Sequence, residues 1–263
     1  MSLNLIYVGA DVGASRTKVA VLDSEKNLIG HCVKKSGTDF TATANTCLAS
    51  ALKMGRADAN DIAQAVSTGY GRKNVAYSQG TKTEIGCHAK GSFLYFPFAA
   101  TVIDIGGQDN KIIKLDANGM RTGFKMNRKC AAGTGAFFEE MAMRLDVPLE
   151  DMDQLARQSE NMVKLGSFCT VFSATEVLEN IRQGKKLPDI VKGVFFSMIK
   201  RVLEMEALTE KVVMTGGVVA QNPYLVAMAE EIINRKILTP EFPQLTGAIG
   251  AALYAMDNDN NAD

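Results

Sequence analysis

The chain lacks net charge: 29 basic and 29 acidic residues cancel over 263 positions, and the sequence pI is about 6.7. A balanced chain has no general attraction for polyanions, so nucleic acid and anionic lipid are not expected as partners. It also lacks a long apolar run. No stretch approaches the roughly 20 residues that span a bilayer, and no basic segment followed by an apolar one marks an export signal. No membrane association is expected, and the chain is read as cytoplasmic. Proline is scarce at 6 residues, and the five cysteines (Cys32, Cys47, Cys87, Cys130, Cys169) form an odd, dispersed set that argues against a disulfide framework. The plain reading of each is a small buried apolar side chain. What is present, 46% apolar and 22% charged residues with 23 glycines, suits a folded protein of one large or two moderate lobes.

The first segment, Leu5 to Asp11, reads as a buried strand ending on an acid. A Gly-rich turn over residues 12–17 follows, then a strand at 18–22, a turn at 23–27 and a third strand near 28–33. Ninety-three residues later, Thr101 to Asp116 repeats the plan, with Asp11/Asp104, Gly13/Gly106, Lys18/Lys111, Leu22/Leu115 and Asp23/Asp116 matched at one offset. Such self-similarity implies two related lobes with a ligand cleft between them: residues 1–95, rejoined by 246–263, and residues 96–245. Between the repeats, helices are expected over 41–53 and 58–65, a strand over 65–68 and a turn over 68–72. Beyond them, helices are expected over 135–145, 149–157, 174–183, 189–208 and 223–234, and strands over 211–214 and 236–238. A small-residue helix at 247–256 is expected to pack on the first lobe, with Asp257 to Asp263 frayed. Met141, Met143, Met198 and Met205 read as core filling.

Backbone amides in a Gly-rich turn after a strand point readily at phosphate oxygens. On the first loop, Gly13, Ala14, Ser15, Arg16, Thr17 and Lys18 are candidates for that contact; on the second, Gly106 and Gly107. Asp11 and Asp104 at the strand ends would hold Mg2+, largely through its waters. Gln108 is the candidate for orienting an attacking water. One Asp-x-Gly turn is more often a plain strand-ending turn, but two matched copies favour a polyphosphate. The doubled plan resembles the α/β actin/Hsp70/hexokinase-like (ribonuclease H-like) fold, whose duplicated lobes enclose a nucleotide cleft, and so implies ATP or ADP as ligand. In that superfamily a strand, Gly-Gly and helix form the adenosine motif, which Val212 to Pro223 resembles. Gly216, Gly217, Val218 and Gln221 are its candidates, with Gln244 bordering the pocket.

Cys130 and Cys169 each stand ahead of an expected helix, where the positive helix end favours a thiolate or an anionic cluster. A cubane iron–sulfur cluster takes four thiolates, which a two-fold dimer of this chain would supply, although zinc or plain burial suits the same residues. Further segments narrow the choice. Asp11-Val-Gly, Thr68-Gly-Tyr-Gly-Arg72, Ile103-Asp-Ile-Gly-Gly-Gln-Asp109, Lys129-Cys-Ala-Ala-Gly-Thr-Gly135, Cys169-Thr-Val-Phe172, Thr215-Gly-Gly-Val218 and Gly247-Ala-Ile-Gly-Ala-Ala252 run in order along the chain. Together they resemble the activator component of 2-hydroxyacyl-CoA dehydratases and the ATPase subunits of benzoyl-CoA reductase.

That resemblance implies a homodimer sharing one [4Fe-4S] cluster, with Cys130 and Cys169 of each chain as its ligands. ATP hydrolysis would drive an electron from a low-potential donor such as ferredoxin or flavodoxin to an acyl-CoA dehydratase or aryl-CoA reductase. The helices behind the two cysteines would swing as the nucleotide cleft closes. Two positions depart from the family pattern: Arg128 stands where activators carry Asp, and Ala174 where they carry an acid. Fewer negative charges near a cluster raise its potential, which leans towards the benzoyl-CoA reductase-like branch or an uncharacterised relative. The alternatives are a small-molecule kinase of the same fold, whose carboxylate base is not evident, and a nucleotide-sensing dimer with zinc or no metal. Glu84 to His88 resembles a family segment without an assigned chemistry, and His88 is expected to be structural. The turn at Tyr70 to Arg72 faces the cleft or a partner, or is a simple strand–helix turn.

Overall fold

The structure, a computed structural model, describes residues 5–166 and 169–260. The first part of the chain forms β1 (Ile6–Val12), β2 (Arg16–Asp23), β3 (Leu28–Lys35), α1 (Phe40–Gly55), β4 (Ile62–Thr68), β5 (Gly80–Thr81) and α2 (Glu84–Tyr95). Then come β6 (Ala100–Ile105), β7 (Asn110–Leu115), β8 (Arg121–Asn127), α3 (Gly135–Leu145), α4 (Met152–Arg157), α5 (Thr170–Arg182) and α6 (Leu187–Leu203). The chain closes with β9 (Val212–Thr215), α7 (Gly217–Gln221), α8 (Pro223–Ile233), β10 (Ile237–Leu238) and α9 (Thr246–Asn260). Two compact units divide it: Met1–Ala99 with Leu115–Thr122 and Gln244–Asp263, and Ala100–Lys114 with Gly123–Pro243.

The internal repeat is a repeat of topology. One sheet has the order β3-β2-β1-β4-β5 and the other, read from its far edge, β8-β7-β6-β9-β10. In the first, β1 pairs antiparallel with β2 and parallel with β4. A strand flanked on both edges and covered on both faces is expected to be largely apolar, and every residue of β1 is buried, with Asp11 the one charged member. Its alternation sorts the two faces. Val8, Ala10 and Val12 join Ala44, Cys47, Ala51 and Leu52 of α1 in one apolar cluster, whereas Tyr7 joins Ala251, Ala255 and Met256 of α9 in another. Asp11 falls on the α9 side.

Helix α9 lies unusually close to its neighbours because glycine lines its path. A Cβ on Gly9 would lie 1.9 Å from the Ala248 carbonyl oxygen, one on Gly91 2.0 Å from that of Thr246, and one on Gly250 1.8 Å from that of Cys87. No other residue type fits those three places. In the second unit Ile103, Ile105 and Ile112 carry a core built with Phe137, Phe138 and Met141 of α3 and Phe195 and Met198 of α6. The Phe138 and Phe195 rings meet at 4.7 Å.

Several local expectations are corrected. Residues 58–65 do not form a helix. Asp58 and Asp61 close a reciprocal capping box around a single 3-10 turn, and from Ile62 the chain is drawn into β4 by parallel pairing with β1. Helix α2 and strand β8 were not anticipated, α5 begins at Thr170 rather than 174, and α6 ends at Leu203 rather than 208. Met141 and Met198 are buried, but Met143 is 64% exposed on the outer face of α3. Among the described residues no helix is long and apolar enough to cross a membrane.

Candidate functional site

Loop 1 is the turn between β1 and β2. The antiparallel register sets Asp11 opposite Lys18, and the ammonium meets Asp11 Oδ2 at 2.9 Å. The Gly13 amide closes the turn on the Arg16 carbonyl at 3.1 Å. Ser36 braces it from beneath: its hydroxyl donates to the Gly13 carbonyl at 2.7 Å, and its amide to that of Ser15 at 3.0 Å. Asp11 is 1% exposed, and its Oδ1 has no hydrogen-bond partner among the described residues. A buried carboxylate oxygen left without a donor is costly, so the position calls for a cation or its waters. Around it stand Gly69, where a Cβ would lie 2.7 Å from Oδ1, and Gly247, where one would lie 2.9 Å from Oδ2 and 3.0 Å from His88 Nε2. His88 is buried, with Nδ1 3.1 Å from Thr246 Oγ1 at the start of α9.

Loop 2, in the other unit, repeats this chemistry atom for atom. Lys111 Nζ meets Asp104 Oδ2 at 3.1 Å, and the Gly106 amide closes on the Asp109 carbonyl at 2.9 Å. Two contacts are additional. Asp109 Oδ1 accepts from Lys111 at 2.7 Å, and Thr215 Oγ1 donates to Asp104 Oδ1 at 3.0 Å across the β6–β9 pairing that sets those residues side by side. The first two amides of α3 then reach back to the loop: Gly135 N donates to the Gly106 carbonyl at 2.9 Å and Ala136 N to that of Gly107 at 2.8 Å.

The third Gly-rich turn joins β9 to α7. Gly216 adopts φ 103°, open only to glycine, and a Cβ there would lie 2.3 Å from the Ile105 carbonyl oxygen. Not every candidate lies where the motif suggested. Thr17 is fully buried on the α1 face, opposite Asp11 and Lys18, and its hydroxyl meets that of Ser36 at 3.0 Å. Val218 belongs to the apolar core. Ala14, Gln108 and Gln221 are exposed, and Ser15, Arg16 and Gln244 are half-buried. Thr215, Gly69, Gly247 and His88 escaped the sequence reading. All four lie in segments that carried the family resemblance, but their place beside the acids did not show there, because Gly69, Gly247 and His88 gather around Asp11, and Thr215 meets Asp104, through tertiary packing.

The five cysteines form no disulfide, and Cys130 and Cys169 are exposed. Asn127 shapes the first segment, its Oδ1 accepting from the Cys130 amide at 3.2 Å and its Nδ2 donating to the Cys130 carbonyl at 2.9 Å. Cys169 is the N-cap of α5, which packs against α3. Among the described residues no three His, Cys, Asp or Glu groups gather as a metal site. Two accessible thiols at the heads of packed helices fit half of a four-thiolate set.

Fold and loops together define an ATPase of the actin/hexokinase-like class. The ROK family glucokinase of Streptomyces griseus, at 13% identity and a TM-score of 0.57 over 96% of this chain and 99% of that one, shares that fold alone. The chain belongs to the BadF/BadG/BcrA/BcrD ATPase family, which it matches over residues 8–255. It is 40% identical to the 2-hydroxyisocaproyl-CoA dehydratase activator of Clostridioides difficile, over 95% of this chain and 94% of the relative. The solved structure of the activator of the 2-hydroxyisocaproyl-CoA dehydratase from Clostridium difficile with bound ADPNP superposes with a TM-score of 0.91 at 38% identity, covering 98% and 97% of the two chains. A component of the benzoyl-CoA reductase of Thauera aromatica is 28% identical over 95% of this chain and 92% of its own. The lean towards that branch, drawn from Arg128 and Ala174, is therefore not followed by overall identity.

Proposed function

We propose that the protein is an ATP-driven activator that passes a low-potential electron to an acyl-CoA dehydratase of the 2-hydroxyacyl type. The observation that carries the reading is the direct bonding of α3, the helix behind Cys130, to the carbonyls of Gly106 and Gly107 in loop 2. A loop that shifts with its nucleotide must move that helix end, since the two share backbone hydrogen bonds. In this reading the turns of loops 1 and 2 receive the phosphates, and Asp11 and Asp104 hold Mg2+ through its waters. Lys18 and Lys111 hold those carboxylates in place through ion pairs at 2.9 and 3.1 Å. Exposed Gln108 orients the attacking water, and Gly216 and Gly217 let the adenosine approach the backbone. Cys130 and Cys169, with the same pair from a second copy, would ligate one [4Fe-4S] cluster, which when bound supplies one-electron chemistry at low potential. Support comes from the two exposed thiols, the repeated loops, and relatives named as dehydratase activators.

The deciding experiment is iron, acid-labile sulfide and ATP turnover on protein purified without oxygen, for wild type and Cys130→Ala. About four irons per pair of chains, lost in the variant, is the expected result. Iron-free wild type after anaerobic reconstitution would remove the electron-transfer function.

A further inference from the structure

Helix α1 lies along β3 in a ladder pinned at both ends. At one end a Cβ on Gly30 would lie 2.1 Å from the Ala51 carbonyl oxygen and 3.0 Å from the Gly55 amide, so the two backbones already touch. At the other, Thr43 Oγ1 donates to the Ser36 carbonyl at 2.9 Å. Two residues of strand advance about 6.6 Å and four of helix about 6 Å. Going up the strand from Gly30 and back along the helix from Ala51, the next facing pair is Cys32 and Cys47. Both belong to the apolar cluster beneath β1, Cys47 in its buried part and Cys32 packed against it. Cys47 is buried with Sγ 3.8 Å from the Thr17 carbonyl oxygen, while Cys32 is half-exposed. Burial first, and the neighbouring Cys32 second, push the Cys47 thiol up to about 12.

We infer that Cys32 and Cys47 are an oxidisable dithiol, a modification site that a peroxide closes into a disulfide governing loop 1. The accessible Cys32 sulfur attacks the peroxide O–O bond, giving a sulfenic acid and one water. The Cys47 sulfur then attacks the Cys32 sulfur; its proton leaves with the displaced hydroxyl as a second water. Two thiols are oxidised to one disulfide and one hydrogen peroxide is reduced to two waters. The new bond draws the sulfurs to about 2.05 Å. The Gly30–Ala51 end has no room to close, so the movement falls on the Ser36–Thr43 end. Ser36 is the residue that holds the Gly13 and Ser15 carbonyls of loop 1, and Cys47 loses the proton it can offer to Thr17. Nucleotide affinity falls as a result, a consequence that rests on reading loop 1 as a nucleotide loop.

The test treats the reduced full-length protein with a few equivalents of hydrogen peroxide, alkylates it and maps peptides without reduction. A Cys32–Cys47 linked pair, two hydrogens lighter than its parts and reversed by dithiothreitol, is expected in wild type and absent from Cys32→Ser and Cys47→Ser. ADP titration should show affinity about tenfold weaker after oxidation, roughly 1.4 kcal/mol, in wild type but not in Cys32→Ser. Independent alkylation of Cys32 and Cys47 in the oxidised protein overturns the site, and linkage with unchanged ADP affinity overturns its control of loop 1. If Cys47→Ser does not fold, the half-exposed Cys32→Ser decides alone. Reduced protein that binds no ADP defeats the nucleotide reading, while the peptide map still judges the dithiol.

Discussion

Lys111 is 1% exposed and stands between two carboxylates, Asp104 at 3.1 Å and Asp109 at 2.7 Å. A buried ammonium survives only with such partners, and removing it strands two negative charges in a low-dielectric site. Lys111→Met is expected to destabilise the protein by about 3–5 kcal/mol in urea unfolding. Lys18→Met is expected to cost less, because Lys18 is 16% exposed and has water within reach to screen Asp11. Equal losses in the two variants would refute this contrast. On the proposed reading both lysines would position the acids that hold Mg2+, so Lys18→Ala should raise the Mg2+ concentration needed for half-maximal ATP turnover by roughly 10–100-fold. The spacing of acid and lysine at this scale was legible in the sequence, because seven residues across a tight hairpin bring them face to face. Thr215 on Asp104, and His88 and Gly247 beside Asp11, were not, since they arrive from strands and helices distant in the chain.

Helix α9 packs through glycines, and the element depends on them. Gly250→Ala would drive a methyl group to 1.8 Å from the Cys87 carbonyl oxygen, a clash with backbone that no rotamer relieves. A loss of about 1–3 kcal/mol is expected in thermal unfolding, whereas Gly123→Ala in β8, with nothing within 4 Å, should be neutral or slightly stabilising. The same contact confers a pH dependence. Burial above all pushes the Cys87 thiol from 9.0 up to about 12. The raised value means the folded state holds the proton more tightly than the unfolded chain. That stabilisation is complete below about pH 9 and is lost as pH rises through 12. Unfolding midpoints should therefore fall over this range, and Cys87→Ala should flatten the fall. The helix expected over residues 135–145 is α3 to the residue. The helix expected over residues 58–65 is absent, because pairing with β1 outweighs local helix preference.

At the scale of the molecule, α5 carries Val171, Phe172, Leu178 and Ile181, exposed at 71%, 64%, 48% and 44%, directly behind Cys169. Three of them share a stripe at helical spacing, a face expected to be covered by the second copy that completes the cluster. Light scattering on a sizing column should give a dimer for the iron-loaded protein, and Leu178→Asp should give a monomer with little iron. A wild-type monomer carrying a full iron complement would refute the shared cluster. The sequence by itself determined that the chain is duplicated, that each half opens with an acid, a glycine turn and a lysine, and that two cysteines head helices. Those features are local in the chain or repeat at one offset. Only the tertiary structure decided which face of β1 carries Asp11, that Thr17 turns away from it, that α3 bonds to loop 2, and that Cys32 meets Cys47. Each depends on the register of a strand or the approach of a helix, which is set by packing across the fold and leaves no mark on neighbouring residues.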